Sequence, residues 1–438
     1  MNYLVVTSLY TGMLPSLATG RYAPCGVPAY HKLLERLSAE GVAVTALVLA
    51  KSPAASAPFS GVTERTFPEL PGVRFVVVPF YGRFLRHGSL AERANEAAQL
   101  LVCARKLFRL RPDLVYADRA SLKAAALASL AGFRTVVRFL GIANFPTLAA
   151  SARARLLSPL TWLSLFVRYD LIVCTEDGSP SRAFFERCRH RRTPALLALN
   201  GVDAAPGDTA DGAADALRRA HGFAPDTPVA LFVGRPSPDK GALDLLDALA
   251  ALRRRGTAFG AVFVCGAPGD ALRREAAARG LGDAVAVRDA VPHRELSAYY
   301  RMADVYVSLN RFGNLSNTVL EALRAGVCTV LLGPDRRDGT DAATERLVPP
   351  EAAARVDRDN LAAALPETLH ALLTRPDLRR GYAAQAAALS RRLLCGWKER
   401  LDAEAALLRR VAGGGAVTPQ AVAGLTARGA AFLPPRGA

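Results

Sequence analysis

The stretch that most constrains this chain runs from residue 303 to 332, ADVYVSLNRFGNLSNTVLEALRAGVCTVLL. Ala303 to Leu309 is a short apolar run with β-branched residues, the pattern of a buried strand. Asn310 to Ser316 reads as a loop, with Asn310, Gly313, Asn314 and Ser316 supplying turn chemistry. Asn317 to Ala325 places Val319, Leu320 and Leu323 on one helical face, and Gly326 stands where a left-handed C-cap belongs. Val327 to Leu332 returns as a second buried strand. Such a unit brings several backbone N–H groups and a helix N-terminus to one point, which is how a fold holds a phosphate. Glu321, about one turn into the helix, is placed to accept hydrogen bonds from a sugar diol beside that phosphate. The pattern reads as half of a nucleotide-sugar site.

A chain of 438 residues holds two, at most three, domains with their own cores, and 51% hydrophobic content excludes a largely disordered protein. The formal charge of +17 points to an acidic partner: nucleic acid, anionic lipid or a phosphorylated substrate. With 7% aromatic residues and no helix-turn-helix, RNP-type or zinc-finger pattern, nucleic acid is the weakest of the three. The seven cysteines are dispersed, odd in number and never spaced C-x-x-C, as expected of free thiols in a reducing compartment. No basic segment precedes an apolar core at the N-terminus, so Met1 to Tyr10 is expected to be a first strand. Leu156 to Val167 is too short to span a bilayer. It reads first as a buried helix and second, with Trp162, Phe166, Arg153 and Arg155, as a membrane-interface segment. A cytoplasmic protein follows, with a peripheral place at the inner face of a membrane as an extension.

Read in order, Tyr3–Ser8 is a strand, a Gly/Pro-rich loop follows, Gly26 opens an amphipathic helix, and Val42–Ala50 is the next strand. This βαβ unit predicts a doubly wound parallel sheet. Val73–Val78, Leu114–Ala117, Thr135–Phe139 and Leu171–Thr175 extend it, and Thr175–Glu176 ends the last of these strands. The turn Asn200-Gly201-Val202-Asp203 and the Ala/Gly/Asp-rich stretch after it mark a linker. A second series begins with Val229–Val233, a helix near Gly241–Arg255 and a strand over Phe259–Gly266, and continues through Ala284–Arg288 and the opening stretch. Four regions are expected: 1–195, 200–376, a helix over 377–411 and a flexible tail over 412–438.

Gly234-Arg235-Pro236-Ser237-Pro238-Asp239-Lys240-Gly241 joins a strand directly to a helix, with a cation near each end. A diphosphate leaving group gathers negative charge as a glycosidic bond breaks, and two fixed cations stabilise that departure. At an effective dielectric near 20, one such pair at about 4 Å contributes roughly 4 kcal/mol. Of the six histidines, none shows ligand spacing, and His293 reads as a loop residue.

These segments resemble the retaining glycosyltransferases of family 4. GRPSPDKGALDLLDAL is similar to their GR-x-x-x-x-KG segment, NGVD to the element opening their second domain, VPHRELSAYYRMADVYVSLN to their VP-x-x-E-L run, and NLSNTVLEALRAGVCTVLL to an LSN-type donor helix. The resemblance is strong over Asn200–Leu332. It implies the GT-B fold: two Rossmann-like, doubly wound α/β domains facing a cleft, with a C-terminal helix carrying Trp397 that crosses back to the first. It implies transfer of a sugar, with retention and without a metal or other cofactor, from a nucleotide-diphosphate sugar to a sugar-containing or lipid-linked acceptor. By motif position Arg235, Lys240 and Glu321 are the catalytic set, the first two on the diphosphate and the third on the ribose. Gly26, Gly234, Asn314, Leu315, Ser316, Asn317 and Thr318 line the donor. Where the family has a second Glu, eight residues before Glu321, this chain has Gly313; where it often has a His after the Thr135–Phe139 strand, the run is RFLGIANF. Arg138, Asn144, Glu176 and Asn310 are therefore expected as sugar or acceptor contacts. A nucleotide-sugar-binding protein with impaired catalysis and a GT-B nucleotide-sugar epimerase are the alternatives.

Overall fold

The computed structural model describes residues 1–10, 12–81, 89–142, 145–203, 211–266 and 268–436. Asn144 and most of the expected linker, 204–210, lie outside them. The chain forms two compact units, one of Met1–Thr175, Ser181–Gly201 and Trp397–Ala438, the other of Glu176–Pro180 and Val202–Gly396.

In the first unit the apolar runs become β1 (Asn2–Ser8), β2 (Ala43–Leu49), β3 (Thr63–Thr66), β4 (Val73–Val78), β5 (Leu114–Asp118), β6 (Thr135–Phe139), β7 (Leu171–Thr175) and β8 (Ala195–Ala198). Their spatial order is β8-β7-β6-β5-β1-β2-β4-β3, parallel except for β3 on β4. Because side chains alternate along a strand, Tyr3 and Val5 of β1 enter one core with Leu33, Leu34 and Leu37 of the Pro28–Ala39 helix. Leu4 and Val6 enter the core on the opposite face with Leu107, Leu122 and Ala125. Both faces are covered, as a parallel sheet requires.

The second unit holds β9 (Val229–Val233), β10 (Gly260–Val264), β11 (Val285–Arg288), β12 (Val305–Ser308), β13 (Cys328–Leu332) and β14 (Ala354–Val356). Among the described residues this sheet is parallel throughout, in the order β11-β10-β9-β12-β13-β14. The chain moves outward from β9 to β11, then returns to the other side of β9 with β12. The order reverses between β9 and β12, and ligands of open α/β sheets bind at such a point, outside the carboxyl ends of the strands.

The expected single helix over 377–411 is two. Pro376–Leu393 packs on the Asn317–Ala325 helix within the second unit, and after Leu394–Gly396 a new helix, Trp397–Ala412, packs on Pro28–Ala39 in the first. Each helix has its own core to fill: Trp397, Leu401, Ala405 and Leu408 are buried with β1 residues, so the apolar face must be re-aimed at the break. Beyond it, where a flexible tail is expected, Val417, Val422 and Leu425 are buried and β15 (Ala431–Leu433) pairs antiparallel with β8, Phe432 opposite Leu196.

Two further expectations are corrected. Leu156–Val167 is not one buried helix: Ala152–Leu157 and Pro159–Ser164 are short helices separated by Ser158, and Leu156, Leu157, Leu160 and Leu163 are exposed. Arg138, expected as an acceptor contact, is only 1% exposed. Its guanidinium lies 3.9 Å from Glu404 Oε1, which also accepts from the Tyr116 hydroxyl at 2.8 Å; Arg400 meets the other carboxylate oxygen at 2.9 Å. Burial opposes the Glu404 charge, but Arg138 and Arg400 outweigh it and hold the carboxyl below its ordinary range. This cluster fastens the Trp397–Ala412 helix into the first unit.

Candidate functional site

The loops that follow β9 and β12 meet at the reversal point of the second unit. The first runs through a 3₁₀ turn, Pro238–Lys240, to Gly241, which begins the Ala242–Arg254 helix in the left-handed region at φ 73°. A Cβ on Gly241 would stand 2.5 Å from Leu309 Cβ, so only glycine lets the two loops close up. Arg311 then ties them together, its N–H donating to the Asp239 carbonyl at 2.8 Å and its guanidinium to Asp244 at 3.0 Å. Arg235 is exposed and Lys240 half-buried. Burial pushes the Lys240 ammonium below its ordinary value; Asp239 pulls it back up and Arg235 depresses it further.

The second loop ends at Ser316, the extended N-cap of the Asn317–Ala325 helix. Its hydroxyl does not cap the helix and instead meets the Thr318 hydroxyl at 3.1 Å, while its carbonyl accepts from the Val319 N–H at 3.0 Å. Asn317, Thr318 and Glu321 are half-buried along this helix. Glu321 is held from behind: Tyr300, fully buried, donates its hydroxyl to Oε2 at 3.0 Å, and His293 Nε2 lies 2.8 Å from Oε1. His293, 75% exposed, is thus more than a loop residue.

Asn314 and Leu315 point inward instead of lining open space. Asn314 is wholly buried: its backbone and side-chain amides donate to Asp341 at 2.6 and 2.8 Å, and its Oδ1 accepts from Ser308 at 3.0 Å. Asn310, also buried, donates to the Gly313 carbonyl at 2.5 Å and accepts from Phe312 N–H. These side chains build the loop. Asp341, which the sequence did not single out, is its anchor, accepting also from Thr344 at 2.6 Å with Arg358 3.5 Å away. It sits at φ 66° despite its side chain, a strained geometry that four partners over-determine. The D-x-x-[ST] spacing of Asp341 and Thr344 before a short apolar segment was the available signal.

Glu176 is buried, and its segment Glu176–Pro180 belongs to the second unit. Asp177 accepts from Leu315 N–H at 3.1 Å, and Gly178 from Asp341 N–H at 2.6 Å. A Cβ on Gly313 would overlap the Asp177 carbonyl and lie 2.7 Å from Gly178 C, while one on Gly178 would lie 2.7 Å from Asn314 N. The absent carboxylate at position 313 has a physical cause: that space is filled by backbone. Gly26, with φ 63°, precedes the Pro28–Ala39 helix of the first unit. Gly234 closes β9, its N–H donating to the Val264 carbonyl at 2.9 Å.

The chain as a whole has the GT-B fold of solved sugar transferases. Residues 214–333 match the family model of glycosyl transferases group 1, and the reversal point lies inside the matched segment. Sucrose-phosphate synthase from Thermosynechococcus elongatus is 18% identical with a TM-score of 0.69, the match covering 94% of this chain and 100% of that one. Anabaena HepE, solved with UDP and glucose, is 17% identical with a TM-score of 0.64 over 93% and 99%. WaaG, a glycosyltransferase involved in lipopolysaccharide biosynthesis, is 14% identical with a TM-score of 0.62 over 92% and 99%. No curated protein matches the chain.

Proposed function

We propose that this protein is a glycosyltransferase that takes a nucleotide-diphosphate sugar as donor and transfers the sugar, with retention of configuration, to a sugar-containing or lipid-linked acceptor. The observation that carries the reading is the meeting of three features at one reversal point: Arg235 and Lys240 after β9, the helix N-terminus after β12, whose N-cap Ser316 hydroxyl is turned to Thr318, and Glu321 backed by Tyr300. Arg235, Lys240 and the N–H groups of Asn317 and Thr318 take the diphosphate and stabilise the charge it gains as the glycosidic bond breaks. Glu321 accepts from the ribose hydroxyls. Gly26 and Gly234 let backbone approach the donor, and Asn314 and Leu315 shape the loop. Among the described residues no group of three His, Cys, Asp or Glu side chains is placed to hold a metal ion, and in this reading the cations do that work.

HepE was solved with UDP and glucose, so uridine diphosphate sugars are the donors to try first. The reading includes a reducing, cytoplasmic setting, in keeping with seven free cysteines, and a peripheral place on a membrane; among the described residues no helix is long and apolar enough to cross one. A binding protein without turnover is the second reading, favoured by Gly313 standing where a carboxylate is expected. Incubation of the full chain with UDP-, GDP-, ADP-, CDP- and dTDP-sugars, with release of the nucleoside diphosphate as readout, separates the two. Release with one nucleotide family supports transfer or donor hydrolysis; tight binding with no release under any acceptor mixture favours the second reading.

A further inference from the structure

The charge of the chain is not shared between its units. The first has 31 Lys and Arg against 13 Asp and Glu, a net +18, and the second 25 against 26, a net −1; together they give the chain's +17. Part of that excess is local. From Arg119 to Tyr169 there are seven cations, the buried Arg138 among them, and no carboxylate.

The same region leaves its apolar side chains uncovered. On the Ala152–Leu157 and Pro159–Ser164 helices, Leu156 is 80% exposed, Leu157 58%, Leu160 60% and Leu163 60%. These helices lie across a cavity of about 850 Å³ from the Ser89–Leu110 helix, with Lys51, Arg93 and Lys123 on its wall beside Leu156 and Leu160. Ser89–Leu110 adds exposed Leu90, Leu101 and Phe108, and Leu122–Leu130, which packs against both sides, adds Leu130. Eight of the thirteen large exposed hydrophobic residues of the described chain thus sit on one helical layer. Glu92 and Glu96 are the carboxylates at the cavity, and Glu96 is paired with Lys123.

Leucines that project singly are ordinary, but a cluster of them set among cations, with Glu92 and Glu96 as the acids at the cavity and Glu96 paired, is not. We infer that this layer is the docking surface for an anionic lipid bilayer, with Leu156, Leu157, Leu160 and Leu163 entering the interface and Arg153, Arg155 and Arg168 meeting the headgroups. A bilayer fits better than a protein partner because the two requirements, apolar insertion and a diffuse negative charge, are both met by its surface. The inference deepens the peripheral part of the function proposed above and is independent of its donor chemistry.

The test is co-sedimentation of the full chain with vesicles of phosphatidylcholine alone or with about 30% phosphatidylglycerol, for wild type, Leu156→Ser/Leu160→Ser/Leu163→Ser, Arg153→Glu/Arg155→Glu, and the control Leu243→Ser on the second unit. The wild type and the control are expected to bind the anionic vesicles and to release them as salt rises. The triple leucine variant is expected to lose at least about tenfold in partitioning, and the double arginine variant more, at about fivefold per neutralised cation. Equal binding to neutral vesicles, binding unchanged in both variants, or a dimer in sedimentation velocity that the leucine variant dissolves would each overturn the inference, the last assigning the surface to a second copy. Nucleotide-induced stabilisation measured on the same variants keeps the two readings apart, since it is expected to stay at the wild-type level whether or not the membrane is bound.

Discussion

The Tyr300 hydroxyl donates to Glu321 Oε2 across 3.0 Å from a ring that is itself fully buried. The tyrosine fixes one carboxylate oxygen from behind, and His293 Nε2 meets the other at 2.8 Å. Tyr300→Phe removes a hydrogen bond to a charged group while keeping the packing. It is expected to raise the Kd for a ribonucleoside diphosphate about tenfold, the loss of roughly 1.5 kcal/mol, and to leave that for a 2′,3′-dideoxy analogue unchanged. Isothermal titration with both ligands checks this; equal losses for the two would mean that Tyr300 acts on something other than the ribose contact.

Gly313 and Gly178 pack backbone against backbone, and position 313 has φ 138°. Restoring the carboxylate there by Gly313→Glu is therefore expected to harm the protein, costing roughly 3 kcal/mol through overlap and backbone strain, and to abolish nucleotide binding with it. Gly313→Ala should do nearly as much, since the first side-chain atom already collides. Thermal denaturation of both variants decides it, and a gain of transfer activity in Gly313→Glu would contradict the packing described.

Burial depresses the Lys240 ammonium, so part of its population loses its proton on the alkaline side before the ordinary value of 10.5 is reached. A diphosphate bound beside it favours the charged form and draws the proton back. Nucleotide affinity is therefore expected to be level near neutrality and to fall as pH rises through the depressed value, with net proton uptake on binding in that range. Titration calorimetry in buffers of different ionisation heat measures the uptake, and Lys240→Gln should abolish it.

Glu404 has a folded-state pKa held below its unfolded one, so its contribution to stability is present above the ordinary value near 4.5 and is lost as pH falls through the folded one. Glu404→Gln leaves Arg138 and Arg400 buried without a counter-charge and is expected to cost about 3–5 kcal/mol. Denaturant unfolding of the first unit should show this loss at neutral pH and a smaller difference from wild type in acid.

Much of the architecture was legible. The strands β1, β9, β12 and β13 announce themselves as apolar runs, and Gly326 at φ 68° ends the Asn317–Ala325 helix where its sequence says it should. The positions of Lys240, Ser316 and Glu321 around one reversal point follow from motif order. What could not be read were long-range partners. The burial of Asn314 depends on Asp341, 27 residues away, and that of Arg138 on Glu404, 266 residues away. A helix break at Leu394–Gly396 serves two different cores, and the tail orders because β8 offers an edge to β15. The exposed leucines at 156–163 have the composition of a core helix, and only their surroundings show that nothing of the described chain covers them.

The central claim is that a nucleotide diphosphate binds at the β9–β12 reversal point. It is tested most directly by thermal shift of the full chain with UDP, GDP, ADP, CDP and dTDP, on wild type, Glu321→Ala and Lys240→Ala. A ligand at about 100 times its Kd stabilises the folded state by roughly 2.7 kcal/mol, a shift that is easily seen. The account predicts that one nucleotide stabilises the wild type and that both variants lose most of the effect at the same concentration. A wild-type response retained in full by both variants, or no response to any of the five, would contradict it.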